Sequence, residues 1–104
     1  MSAIKAKKLR KKPVVIEAFQ LTEEAALSYF VDKQPLPFGV TLAGNYHPVN
    51  RKVYLAWATI DTLEGKMRAE LGDWIIRGVK GELYPCKADI LEATYDDVTE
   101  ETQP

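Results

Sequence analysis

The residues best able to do chemistry are concentrated in one stretch, LGDWIIRGVKGELYPCKADILEATY, at positions 71–95. It contains the only cysteine, Cys86, while the only histidine, His47, lies in a loop rich in Pro and Gly. A Cys–His pair is catalytic only when the fold brings the two together. A loop rich in Pro and Gly does not fix the position of a catalytic base such as His47. Free cysteines such as Cys86 commonly act as small buried apolar groups. We assign no catalytic residue and expect a structural thiol.

Metal and phosphate sites are not predicted either. One Cys and one His do not complete a four-ligand zinc site, and no Asp-x-Asp-x-Asp calcium loop is present. The glycines at 65, 72, 78 and 81 precede strand-like runs, whereas a phosphate cradle would precede a helix. The sequence therefore predicts a non-enzymatic protein without a cofactor or a metal.

Aromatic residues in or beside the predicted strands are interleaved with cations, a pattern that suits stacking against planar ligands and contact with phosphate. The aromatic residues are Tyr54, Trp57, Trp74, Tyr84 and Tyr95, and the cations are Arg68, Arg77, Lys80 and Lys87. The candidate residues for binding a ligand or partner are Arg77, Lys80, Tyr84, Lys87 and Trp74. The alternative is that the large rings only fill the core of a thin domain. Trp74 shares a strand face with Ile76, which favours the core role for Trp74.

The elements that must position these residues begin with PVVIEAFQL, residues 13–21, whose β-branched content predicts a strand. Thr22, followed by Glu23 and Glu24, predicts the start of a helix, because Thr caps helices and acids favour the first turn. Apolar residues at helical spacing continue this helix until the prolines from Pro35 onward end it. Segment 35–50 predicts a loop with a short strand near 40–42.

Downstream, β-prone runs alternate with turn residues at Glu64-Gly65, Gly72-Asp73 and Lys80-Gly81. Such spacing is typical of an antiparallel meander. Residues 88–94 predict a single helical turn, and 93–95 a last extended stretch. We expect an α+β domain, with one N-terminal strand and helix followed by an antiparallel β-meander, an order also compatible with a curved half-barrel.

Length and composition predict one domain, because 104 residues match the size of a single folding unit. We place a disordered basic arm at 1–12, the α+β domain at 13–95 and a disordered acidic tail at 96–104. The sequence has no apolar run of the length of a membrane helix or signal peptide, and its single cysteine cannot form an internal disulfide. These features predict a cytosolic protein with no membrane partner.

The net charge is −1, but six of the fourteen cations lie in the first twelve residues, which contain no acid. Clustered cations bind nucleic acid by releasing counterions from phosphate. The residues of such an arm are Lys7, Lys8, Arg10, Lys11 and Lys12. The alternative is a solvated terminus, because positions 13–95 carry eight cations against eleven acids and do not extend a basic face.

Two segments, RKKPVVIEAFQLT and TLEGKMRAELGDWIIRGVKGELYPCKADILEATY, resemble a family of small uncharacterised proteins of tailed bacteriophages and prophages. Its members often begin R-K-K-P-V-x-I/V-E-A and close with G-D-W-I/V-I/V-x-G-V-x-G-E-x-Y-P-C/V-K-x-x-I/F-x-x-T-Y. The match covers about half the chain and leaves out its middle. Leu71 and Ala88 stand where the family usually has proline. The family has no established activity, so the resemblance implies only a bacterial, cytosolic setting.

Two functions remain open on this basis. The first is a binding module that engages a host protein or a small nucleotide-like ligand, in host takeover or in evasion of host defence. The second is a nucleic-acid-binding accessory protein that uses the basic arm and an aromatic sheet surface. A homodimer through a free sheet edge is a further expectation, because such edges tend to pair with one another.

Overall fold

A computed structural model describes residues 4–10 and 12–98. The helices and strands in chain order are β1 (Glu17–Gln20), α1 (Glu23–Phe30), a 3-10 turn (Pro37–Gly39), β2 (Ala43–His47), β3 (Lys52–Thr62), β4 (Gly65–Glu70), β5 (Trp74–Arg77), β6 (Leu83–Cys86) and α2 (Ala88–Thr94). The described strands form two three-stranded antiparallel sheets, ordered β1–β5–β6 and β2–β3–β4, and no closed barrel. The predicted α+β class is confirmed.

Helix α1 begins where the sequence predicts. The Thr22 hydroxyl accepts the backbone N–H of Ala25 at 3.0 Å, which satisfies one of the free N–H groups of the first turn. The helix ends at Phe30, a few residues ahead of Lys33, whose φ of 59° is incompatible with a right-handed helix. Its buried residues, Ala26 and Phe30, pack against β3.

The β2–β3–β4 sheet buries one face. Across the β3–β4 ladder, Ala58 lies opposite Ala69, and both are fully buried with Ile60. These residues form a core cluster with Ile75 of the other sheet, and the cluster also includes Leu36 and Val40 from the segment before β2. Leu83 of β6 packs against it. Small side chains at positions 58 and 69 let this neighbouring strand approach closely.

The central strand β5 of the β1–β5–β6 sheet has a buried residue on each face. Ile75 and Ile76 follow one another on β5, so their side chains point to opposite faces. Both are almost completely inaccessible to solvent. Ile75 belongs to the core cluster shared with β3 and β4. The face of Ile76 also carries Tyr84, which lies opposite it on β6.

Three predicted boundaries change. Strand β1 is limited to Glu17–Gln20, because its partner β5 ends at Arg77, opposite Glu17, and no described strand continues the pairing beyond it. The strand in the 35–50 segment is Ala43–His47 rather than 40–42, because the turn at 48–51 aligns 43–47 with β3. Helix α2 continues to Thr94, so of 93–95 only Tyr95 is extended.

The ends of the chain lie outside these elements. Residues 4–10 and Lys12 are exposed and have no regular secondary structure. Residues 1–3, Lys11 and 99–104, which belong to the predicted arm and tail, lie outside the described residues. Within the described ranges, neither helix has the length and apolar character needed to cross a membrane.

Candidate binding surface

The β5–β6 hairpin places the predicted binding residues on different sides of its sheet. Arg77 lies opposite Glu17, and its guanidinium forms an ion pair with the Glu17 carboxylate. The same guanidinium lies 4.6 Å from the centroid of the Phe38 ring. Lys80 is exposed in the following turn, where its backbone N–H donates to Glu82 Oε2 at 3.0 Å. Arg77 is therefore held by its own domain, and Lys80 is the freer cation.

Tyr84 and Trp74 lie on the face opposite Arg77 and share it with Ile76. Burial raises the pKa of Tyr84 to about 12, and a hydrogen bond with Tyr95 contributes to the rise. Trp74 is half-buried, and its indole Nε1 is enclosed without a hydrogen-bond partner in the part of the chain that the structure describes. Both rings mainly serve packing.

Lys87 is tied to Asp73, the one buried charged residue in the described ranges. Its Nζ lies 3.0 Å from Oδ1 and 3.2 Å from Oδ2 of Asp73. The Glu70 backbone N–H donates to the same carboxylate at 2.9 Å. The hydrogen bond to Asp73 raises the pKa of Lys87. This contact joins the β4–β5 turn to the start of α2, so Lys87 has a structural role.

Cys86 and His47 make their hydrogen bonds within their own segments. The Cys86 thiol donates to the carbonyl of Lys87 at 3.5 Å, and His47 Nδ1 accepts the backbone N–H of Asn50 at 3.1 Å. Burial raises the pKa of the Cys86 thiol, which keeps it protonated at neutral pH. Within residues 4–10 and 12–98, no three His, Cys, Asp or Glu side chains are grouped to hold a metal ion.

The predicted nucleic-acid arm is only partly described. Lys7, Lys8, Arg10 and Lys12 are all exposed, whereas Lys11 lies outside the described residues. Exposure keeps these cations available to a polyanion.

A different surface combines exposed rings and cations, and it lies on the β2–β3–β4 sheet. We call it the outer face and define it by Lys52, Tyr54, Leu55, Trp57 and Arg68. Tyr54 is 60% exposed and Leu55 45%, while Trp57 is half-buried. Arg68 lies 4.4 Å from the Trp57 ring centroid, and Lys52 lies 5.5 Å from that of Tyr54. Two aromatic–cation pairs thus share one open sheet face.

A β-bulge creates this face. Asn45 lies opposite Leu55 but Tyr46 lies opposite Val53, so Tyr54 is an extra residue in β3. The bulge leaves Tyr54 and Leu55 both exposed and lets Val53 and Ala56 both turn inward. Simple alternation does not predict this arrangement. The signal available in the sequence was the apolar series Ala56, Ala58 and Ile60 at every second position, which assigns Trp57 to the other side of the strand.

Two grooves lie away from the outer face. One, of about 360 Å³, is lined by Tyr29, Tyr46 and residues at the end of α1. The other, of about 430 Å³, lies between residues 15–17 and the hairpin turn, and includes Arg77. Both are open to solvent, unlike the enclosed clefts that typically bury small ligands.

Comparison with known proteins adds no relative. No protein-family model matches the chain, and neither a curated protein nor a solved structure matches it.

Proposed function

We propose that the chain is a small non-enzymatic binding module of a phage or prophage, and that it engages a protein of the bacterial host through the outer face. One observation carries this proposal: Tyr54, Leu55, Trp57 and Arg68 lie together on an open sheet face. Exposed rings and aliphatic side chains grouped in this way are typical of interaction sites. Trp, Tyr and Arg are also the residues that contribute most to protein interfaces.

The shape of the surface favours a protein over a small nucleotide-like ligand. The outer face is a sheet surface, whereas small ligands are normally bound in concave sites that bury most of their area. The groove that includes Arg77 is concave, but the Arg77 guanidinium already forms an ion pair with the Glu17 carboxylate. A ligand phosphate would have to displace that carboxylate.

Two cations on the side of the sheet that carries the outer face are paired with acids: Arg68 Nε lies 3.6 Å from Glu70 Oε1, and Lys66 Nζ lies 2.7 Å from Asp61 Oδ1. Neighbouring acids weaken the attraction of a surface for phosphate, while a protein interface needs only matched polar groups around an apolar centre. The phage setting itself rests on the resemblance of the terminal segments. A role in host takeover or anti-defence is part of the same proposal.

Nucleic-acid binding is the second candidate, and one specific observation favours it. Lys52 and Arg68 each lie over an exposed or half-exposed ring, and exposed arm cations such as Lys7 and Arg10 supply further positive charge. Single-stranded nucleic acid binds such surfaces by stacking its bases on the rings. Its affinity would fall steeply as salt rises, whereas an apolar protein contact would change little.

The test is capture of partners from bacterial lysate on the immobilised full chain, followed by mass spectrometry and nuclease treatment. The Trp57→Ala variant should weaken binding of the captured host protein by about 2 kcal/mol or more. Leu63→Ala is the matched control, because Leu63 is 94% exposed in the β3–β4 turn, away from the outer face. Circular dichroism checks that each variant is folded.

Equal capture by wild type, Trp57→Ala and Leu63→Ala would overturn the assignment of the outer face. Capture that disappears after nuclease treatment, and that weakens steeply between low and physiological salt, would replace the protein partner with nucleic acid. Arg68→Ala gives an independent check, because Arg68 is exposed and its removal leaves no cavity.

A further inference from the structure

Among the described strands, β4 forms an edge of the β2–β3–β4 sheet and pairs only with β3. All its residues except Ala69 are exposed to solvent, including the apolar Met67. An exposed, regular edge strand presents a row of unpaired backbone groups that can pair with another chain.

The contacts of Glu70 set the direction of these groups. Its N–H donates to Asp73 Oδ2 at 2.9 Å, and its carbonyl accepts the N–H of Asp73 at the same distance. Both groups therefore point away from β3. Because backbone direction alternates along an antiparallel pair, the N–H and C=O of Arg68 and Lys66 also point outward. The turn agrees, since Thr62 and Gly65 close a two-residue hairpin loop and form the first bonded pair.

The other edges are protected. Strand β6 has Pro85 at a position that faces away from β5, where there is no N–H to donate. Strand β2 lies beside the β-bulge and is followed at once by Pro48. Strand β1 has only four residues, and its outward positions, Ala18 and Gln20, are half-buried. Among the described strands, β4 is the edge that combines regular pairing, exposure and freedom from proline.

The side chains of β4 specify the chemistry of an added strand. Lys66 and Arg68 lie on the outer face, while Met67 lies on the other side, next to the buried Ala69. A strand paired with this edge would place alternate residues opposite the two cations, and the residue between them opposite Met67. Acidic residues opposite the cations and an apolar residue opposite Met67 are the complementary choice. The present partners of the cations, Asp61 and Glu70, are exposed and hold them weakly.

A second copy of the chain does not fit this edge. An antiparallel self-pairing that uses only the two free positions puts Lys66 opposite Arg68 or a cation opposite itself. Like charges directly opposite each other destabilise a sheet. The register that would place Arg68 opposite Glu70 needs the Glu70 N–H, which Asp73 already binds. The edge therefore disfavours the homodimer expected from the sequence and suits a different chain.

We infer that β4 accepts an extended acidic–apolar–acidic segment of the partner as a fourth, antiparallel strand. The inference rests on the proposed function, because the added strand would extend the sheet that carries the outer face. Recognition by strand addition uses backbone bonds for affinity and alternate side chains for specificity. The partner chemistry is thus defined by the two cations and Met67.

The test uses the full chain, labelled with nitrogen-15, and the synthetic peptide Thr-Glu-Val-Glu-Thr. In the free protein, the Lys66 and Arg68 amides should exchange with solvent faster than those of Met67 and Ala69, which bond to β3. The peptide should slow exchange at Lys66 and Arg68 at least about tenfold when saturating. The peptide Thr-Lys-Val-Lys-Thr should bind at least about tenfold more weakly.

Arg68→Pro and Arg68→Ala form a matched pair of variants. Both variants remove the cation, but only Arg68→Pro removes the outward backbone N–H. Because that N–H points away from β3, the proline leaves the β3–β4 hydrogen bonds intact. Arg68→Pro should bind the acidic peptide at least about tenfold more weakly than Arg68→Ala. Equal affinities of the two variants, equal binding of the two peptides, or unchanged exchange at Lys66 and Arg68 would each overturn strand addition. Loss of host-protein capture in Trp57→Ala would still support the proposed function in that case.

Discussion

The two sheets of this protein use similar residue types for opposite purposes. In β1–β5–β6, Ile75 and Ile76 are buried on opposite faces, and Arg77 is bound by Glu17. In β2–β3–β4, one face packs on the core while the other leaves Tyr54 and Leu55 in solvent. The rings and cations of the β1–β5–β6 sheet, which has the most distinctive sequence, thus mainly stabilise the domain itself. The sheet with the plainer sequence has the open surface that we propose as the binding site.

The most disruptive test of this comparison is truncation of the two adjacent isoleucines. We expect Ile75→Ala and Ile76→Ala each to lower the free energy of unfolding by about 3 kcal/mol, because both leave cavities. Leu55→Ala on the outer face should cost less than about 1 kcal/mol, since the site is already open to solvent. Urea denaturation measures all three. If Ile76→Ala lowers the free energy of unfolding as little as Leu55→Ala does, the face of the β1–β5–β6 sheet that carries Ile76 is open to solvent, like the outer face.

A smaller loss is expected from removing the carboxylate that joins the β4–β5 turn to α2. Asp73→Ala should lower the free energy of unfolding by about 2 kcal/mol, because the Glu70 N–H and Lys87 lose their acceptor. Asp73→Asn keeps an acceptor oxygen and should lose less. Lys87→Ala should also lose less, since that side chain is largely exposed. If Asp73→Ala is as stable as wild type in urea, the turn does not depend on this contact.

Alkaline pH should weaken the packed side of the β1–β5–β6 sheet through Tyr84. Burial raises the pKa of Tyr84 to about 12, against about 10 for an unfolded tyrosine. Below about pH 10 the Tyr84 hydroxyl is protonated in both the folded and the unfolded state, so the free energy of unfolding keeps its full contribution from the buried neutral ring. Between about pH 10 and about 12 the unfolded state ionises first, and stability falls as pH rises.

The measurement is the urea midpoint at about pH 9 and about pH 11.5, for wild type and for Tyr84→Phe. Wild type should lose more stability over this interval than the variant, which cannot ionise at position 84. Parallel losses in the two proteins would show that Tyr84 ionises equally easily in both states.

The smallest effect is expected at the N-terminal arm. Deleting residues 1–12 should change the free energy of unfolding by less than about 1 kcal/mol, because the described part of this arm is exposed and has no regular secondary structure. A larger loss would show that the arm packs on the domain. If deletion instead removes partner binding in a salt-dependent way, nucleic acid becomes the leading candidate.

Much of the fold was predictable where the signal is local. Thr22 caps α1 as its sequence context predicts, and the turns near Gly65, Gly72 and Gly81 separate the predicted strands. The pairing of β1 with β5 was not predictable, because those strands are far apart in sequence and neither encodes its partner. The outer face was harder still to predict from the sequence. The bulge at Tyr54 interrupts the alternation from which strand faces are read.

Local sequence was enough to specify the helix starts, the turns and the strand-forming runs, because a few neighbouring residues decide each of them. It also determined that Trp74 and Arg77 lie on opposite faces, since strand alternation is a property of the backbone. Which strand faces are covered follows from the complete fold, because burial depends on segments brought together from distant parts of the chain. For that reason Arg77 and Lys87 pair with Glu17 and Asp73, while Tyr54 and Leu55 are exposed to solvent.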